Sequence, residues 1–226
     1  MSKKQPAASR APLSDEALEK LSPNDFARIK LTPDEISRLR AINDGKQQER
    51  VDRTRRVGIE EKPILAELRE VEIDVNSVWD LLKRTVPYPA AIPILLKHLQ
   101  LPHSDVVKDS LARALAVPEP EVRQAWPLLV DEYRKAPAGW GILVPGDTRE
   151  HKLGAKDGLA VTLSVATTEE TLAELIELAK DQSLGDSRVL LLSALKKRRK
   201  KNALVQEAVL ELANDPDLHK EIASWR

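Results

Sequence analysis

"AIPILLKHLQLPHSDVVKDSLARAL", residues 91–115, consists of two short amphipathic segments joined by a proline-bearing turn, and the pattern returns along the chain. Slid by 80 residues, Ile92 falls on Leu172, Leu95 on Leu175, Leu96 on Ile176 and Leu99 on Ala179. In the second segment Lys108 falls on Arg188, Leu111 on Leu191, Ala114 on Ala194 and Leu115 on Leu195. A slide of 34 brings in a middle copy: Trp126-Pro127 matches Ile92-Pro93, Leu129 matches Leu95, Val130 matches Leu96 and Tyr133 matches Leu99. Its second segment follows only after about 14 extra residues, where Lys156, Leu159 and Leu163 match Lys108, Leu111 and Leu115. A fourth, shorter copy begins at Ala203, with Val205, Ala208, Val209 and Leu212 on the positions of Leu172, Leu175, Ile176 and Ala179.

Apolar positions at i, i+3, i+4 and i+7 give each helix one stripe to bury. A single two-helix unit of this length cannot cover that stripe, whereas neighbouring units stacked side by side can. The segments "AIPILLKHL" and "AWPLLVDEY", each with a proline inside the first helix, and the second-helix forms "DVVKDSLARAL" and "DSRVLLLSAL" resemble HEAT repeats, specifically the short bacterial kind. The resemblance covers residues 88–226. It implies an all-α chain whose repeat domain is a right-handed HEAT-like α-solenoid of about four helical pairs. It also implies a scaffold or binding surface, used as an adaptor or as a toxin antidote.

Upstream, residues 1–12 are polar and read as a disordered tail, and residues 13–87 as a helical segment. Three helix starts are visible there. Ser14 precedes "DEALEKL", Ser22-Pro23 precedes "NDFARI", and Thr32-Pro33-Asp34-Glu35 combines an N-cap, a first-turn proline and a capping-box glutamate. "GKQQERVDRTRRVGIEEK" is so highly charged that it reads either as an exposed helix or as a linker. Pro63 is expected to open a new helix, and Val75 to Leu82 a short one around Trp79.

Composition narrows the function. The chain has 226 residues, with 36 lysines and arginines balancing 36 aspartates and glutamates. Nucleic-acid binders draw much of their affinity from phosphate neutralisation and usually carry a basic surplus, so a nucleic-acid partner is not expected. The absence of cysteine removes disulfides and thiolate chemistry and suits a reducing compartment. Eight glycines and seven aromatic residues argue against a β-rich fold or a glycine-loop nucleotide site. The N-terminus lacks the apolar core of a secretory signal, and no apolar run approaches the ~20 residues a bilayer demands. The expectation is a cytoplasmic protein with no membrane partner.

Catalytic signals are weak. His98, His103, His151 and His219 form no metal-ligand spacing on a helix face, and neither a phosphate loop nor a nucleophile elbow is present. No cofactor or metal is expected, and the chain reads as a non-enzymatic protein–protein interaction module. Two candidate surfaces stand out. The insertion, residues 135–153, is apolar at Trp140, Ile142, Leu143 and Val144, so it reads either as folding back as a lid on the solenoid edge or as contacting a partner, with Trp140 and Arg149 then the candidate anchors. The ladder Lys108, Lys156 and Arg188 reads either as interrepeat ion pairs or as a row of cations along a groove. The basic run Lys196 to Lys201 falls at a second-helix end, where cations meet the negative end of the helix dipole, and reads as a solvated terminus, with contact to an acidic surface or phosphate, or a localisation signal, as the alternatives. The rival reading is an alkylpurine DNA glycosylase, because some HEAT-like proteins resemble those enzymes and Trp126, Asp131 and Trp140 invite the comparison. Trp126 nevertheless occupies a core repeat position.

Overall fold

Side-chain caps start the first helices where the sequence places them. A computed structural model describes residues 10–137 and 154–225, in two compact units, Met1–Arg56 and Val57–Arg226. In the first unit, Ser14 caps helix α1 (Asp15–Glu19) by accepting from the Ala17 N–H, and Ser22 and Asp25 form a capping box on α2 (Pro23–Arg28). Helix α3 (Pro33–Glu70) opens on the expected box: Thr32 Oγ1 accepts from the Glu35 N–H and Glu35 Oε2 from the Thr32 N–H. The Glu35 carboxylate also takes the Leu13 N–H and both Arg10 guanidinium nitrogens, at 2.8 and 2.6 Å. These donors, rather than a core, cover it, and the backbone N–H bonds from Leu13 and Thr32 lead in holding its pKa down at about 2. Arg10 lies within the stretch read as a disordered tail, and this carboxylate gives it a partner.

The charged stretch is helix. Side-chain pairs one turn apart, Gln48 with Asp52 and Arg53 with Glu49, support it. Pro63 does not open a new helix; α3 continues through it to Glu70. Proline removes one donor and costs about 3 kcal/mol in a helix interior. Burial of Ile64, Leu65 and Leu68 directly after it anchors the next turn and offsets that cost. The helix ends with Glu72 in the left-handed region (φ 62°), the Ile73 N–H donating to Leu68 O and the Glu72 N–H to Arg69 O. This is a glycine-type C-cap made without glycine. Around Trp79 the chain forms a 3-10 helix, Val78–Lys83, capped by Ser77.

Beyond it the helices fall on the repeat positions. They are α4 (Ile92–Leu99), α5 (Asp105–Ala114), a short α6 (Pro120–Gln124), α7 (Trp126–Lys135), α8 (Ala155–Ala166), α9 (Leu172–Lys180), α10 (Arg188–Arg198), α11 (Ala203–Leu212) and α12 (His219–Ala223). Prolines at the first turns of α4 and α7 sit where the missing N–H has no intrahelical partner anyway. No strand occurs among the described residues, and none of their helices is long and apolar enough to cross a membrane.

The matched apolar positions are the core. Ile92, Leu95, Leu99, Leu111, Leu115, Trp126, Leu129, Tyr133, Leu159, Leu163, Leu172, Leu175, Leu191, Leu195, Val205 and Leu212 are all buried, in one cluster that also takes in Ile64, Leu68, Val78 and Leu81. Leu96 and Val209 are partly buried against it. The second helices pack in succession, α5 on α8 and α8 on α10, with α7 against α8 and α9 against both α10 and α11. Leu191, wholly buried in α10, has no room for loss of volume. Leu191→Ala is expected to destabilise the chain by ~2–5 kcal/mol in chemical denaturation. A change below ~1 kcal/mol would contradict the packing described for α10.

Candidate functional site

The basic ladder lies in the first turn of α5, α8 and α10 and serves the packing. Lys108 on α5 pairs with Glu132 on α7 at 3.0 Å. Lys156 on α8 is buried, its Nζ 5.7 Å from the centre of the Tyr133 ring, and burial holds its pKa below the usual lysine value. Arg188 on α10 has no exposed surface. Its Nη1 donates to Ala179 O at 3.0 Å and to Asp215 Oδ2 at 2.7 Å, its Nη2 to Asp217 Oδ2 at 3.0 Å, and its Nε to Gly185 O at 3.1 Å. One guanidinium therefore ties the end of α9, the turn before α10 and the turn before α12. Its bond to Asp215 leads in lowering that carboxyl's pKa. Removing a buried partner leaves the other charge and a helix-end carbonyl unsatisfied, so Arg188→Ala should cost about 3–5 kcal/mol. A calorimetric melting scan checks this, and near wild-type stability would show that the ties are dispensable.

Trp126 is packed into the core, with its indole Nε1 donating to Glu174 Oε2 at 2.6 Å. Asp131 faces water and pairs with Lys135 at 2.5 Å. The two side chains do not combine into an exposed tryptophan beside a free carboxylate. Trp140 and Arg149 lie outside the described residues, as does most of the insertion. The basic run is divided. Arg198 donates to Thr167 O and pairs with Glu169, while Lys196 and Arg199 lie over the buried Trp225 ring, and Lys197, Lys200 and Lys201 are exposed.

The structure also brings together groups that a search of helix faces does not find. His98 Nδ1 lies 3.2 Å from His103 Nε2, and His98 Nε2 lies 3.2 Å from Glu67 Oε1. His103 stands on the turn after α4, so its approach to His98 depends on that turn folding back. Among the described residues, no three histidines or carboxylates are grouped so as to hold a metal ion. Three aspartates meet at the α5–α8 contact. Asp105 Oδ1 accepts from the Ala155 N–H at 3.1 Å, Asp157 Oδ2 from the Gly154 N–H at 2.9 Å, and Asp109 Oδ1 from Arg113 Nε at 2.9 Å. Desolvation raises all three, Asp109 to about 6.

The remaining feature is a groove of about 500 Å³ between α9 and α11. Ala173, Glu174, Ile176, Glu177 and Lys180 line it from α9, and Leu204, Glu207, Ala208 and Glu211 from α11. Lys180 reaches Glu211 at 2.6 Å and Glu177 at 3.6 Å. Glu174 and Glu207 pair with no cation among the described residues. No known protein family, curated protein or solved structure matches this chain.

The aspartate cluster predicts a pH response. A carboxyl whose folded pKa lies above its unfolded value binds a proton that the unfolded chain does not. Stability from Asp109 is therefore gained as pH falls from about 6 towards 4, and lost as it rises again. His103 acts in the opposite direction, because burial, followed by the His98 charge, lowers its pKa. Asp109→Asn is expected to reduce the rise in stability between pH 6 and 4 by roughly 2–3 kcal/mol, leaving the contributions of Asp105 and Asp157 against the His103 loss. Melting temperatures across that range for both proteins test this, and parallel profiles would remove Asp109 from the account.

Proposed function

We propose that this chain is a non-enzymatic, cytoplasmic protein–protein interaction module, built as a HEAT-like α-solenoid of four helical pairs. The observation that carries the reading is the α9–α11 groove. It is concave, walled by charged side chains and floored by apolar ones, and it lies between successive first helices rather than inside the core. The succession of second helices α5, α8 and α10 supports the repeat architecture, because each unit covers the apolar stripe of the next. The cations of the ladder are engaged within the fold, so they do not compete as a ligand site. The function is then the presentation of a surface, as in an adaptor or an antidote.

Supporting this over base excision, Trp126 is buried and hydrogen-bonded to Glu174, so it has no face to stack on an extruded base. The test is reconstitution. A partner captured with the tagged chain from its source organism is purified separately and recombined with it. A stoichiometric complex by size-exclusion chromatography with light scattering is the expected outcome. Random duplex DNA should bind no tighter than micromolar near physiological salt. Nanomolar, salt-sensitive duplex binding, or release of alkylated purines from DNA, would overturn the proposal.

A further inference from the structure

We infer that the α9–α11 groove receives a basic amphipathic helix of a partner protein, its apolar stripe on the groove floor and its lysines or arginines against the glutamate walls. The inference rests on the interaction-module reading and names the chemistry of the occupant. Its first support is the spacing of the lining residues. On α9 they include Ala173, Ile176, Glu177 and Lys180, and on α11 they are Leu204, Glu207, Ala208 and Glu211. Both sets run i, i+3, i+4, i+7, which is the face one helix offers to another. Two such faces side by side make a seat about two turns long, enough for anchors at i, i+3 or i+4, and i+7 of an incoming helix.

The second support is the composition of the seat. Ile176 and Ala208 form its floor, and the exposed Ala173 and Leu204 its apolar rim. Small residues at 173 and 208 leave the space that the groove occupies. The third is charge. Four glutamates stand against a single lysine, and that lysine engages Glu177 and Glu211. Glu207 has no cation among the described residues, and Glu174, whose Oε2 accepts the Trp126 indole N–H at 2.6 Å, has none either, so a basic occupant gains ion pairs at the rim without displacing Lys180. Such rim charges steer and select more than they bind, and the apolar stripe supplies the rest.

The chain's own basic run does not fit this seat. Lys196 to Lys201 follows Leu191, Leu192 and Leu195, all buried in α10, so that run offers cations without an exposed apolar stripe. A membrane surface is also the wrong match, because anionic headgroups repel the glutamate walls.

The experiment uses the full chain and a fluorescent helical peptide of about four turns, with leucines at i, i+3, i+4 and i+7 and lysines flanking them. Saturable binding at roughly 10–100 µM is expected by anisotropy. Peptides with the same composition scrambled, or with lysines replaced by glutamates, should bind about tenfold more weakly or worse. Glu177→Lys combined with Glu207→Lys should abolish binding of the lysine peptide and shift preference to the glutamate peptide. Ala173→Trp, at an exposed position, should block the groove by volume alone, and both variants should keep the wild-type circular dichroism and melting temperature. Equal binding of the scrambled peptide, or binding that survives both variants, overturns the inference. So does a salt-sensitive self-association, seen in sedimentation, that is lost in Lys197→Glu/Lys200→Glu, because the occupant is then a second copy. If the peptides fail while a reconstituted complex holds, the occupant is misassigned and the interaction-module reading stands; if both fail, neither stands.

Discussion

The packing of the second unit centres on the contact of α5 with α8, which includes one close approach. At Gly158, near the start of α8, a Cβ would lie 2.7 Å from Asp109 Oδ1 and 3.0 Å from the Asp109 carbonyl oxygen and the Ala112 Cβ. A side chain there would push the Asp109 carboxylate aside and force the Asp109 carbonyl and Ala112 to give by a few tenths of an ångström, so glycine lets α5 and α8 meet without that adjustment. The contact is made closer by Thr162 Oγ1, which donates to Ala112 O across the same interface. Drawn in this far, α8 has α5 on one side, α10 on the other and α7 beside it. Nearly every residue from Ala155 to Ala166 is buried, polar ones included. A helix with so little wetted surface must satisfy its polar groups locally, and the carboxyls of Asp105 and Asp157 do so at its N-terminus.

The buried charges follow from that packing. Packing brings the turn before α12 and the end of α9 to one side chain, and helix ends present backbone groups without intrahelical partners. Arg188 meets such a carbonyl at Ala179 and the carboxylates of Asp215 and Asp217 together, so one side chain closes three chain segments. Lys108 and Lys156 hold the equivalent positions but solve different local problems, one with a carboxylate and the other with an aromatic ring. In the α9–α11 groove Glu177 and Glu211 engage Lys180 and Glu174 accepts from Trp126, while Lys197, Lys200 and Lys201 at the end of α10 are exposed.

Much of this architecture was legible beforehand. The 80-residue repeat, read only from which positions are apolar, marked Leu95, Leu111, Leu175 and Leu191, and all four are fully buried. The slide of 34 also placed Trp126 in the core, because hydrophobic period and burial are the same constraint viewed in one dimension and in three. The caps at Ser14, Ser22 and Thr32 were equally visible, since a cap is made by residues three apart. The misreading at Pro63 has the opposite cause. Local preference argued for a break, and burial of Ile64 and Leu68 carried the helix through it.

The sequence by itself determined the helical class, the positions of the helical pairs and the residues that form their core. These depend on periodicity and on interactions between near neighbours in the chain. Only the tertiary structure decided which charges are fasteners and which face outward. Lys108, Lys156 and Arg188 are alike in register, and their different surroundings come from residues 24, 23 and 27 positions away at Glu132, Tyr133 and Asp215. The groove belongs to that second category as well. Its two walls are separate helices, and neither shows that it is half of a site until packing sets them side by side.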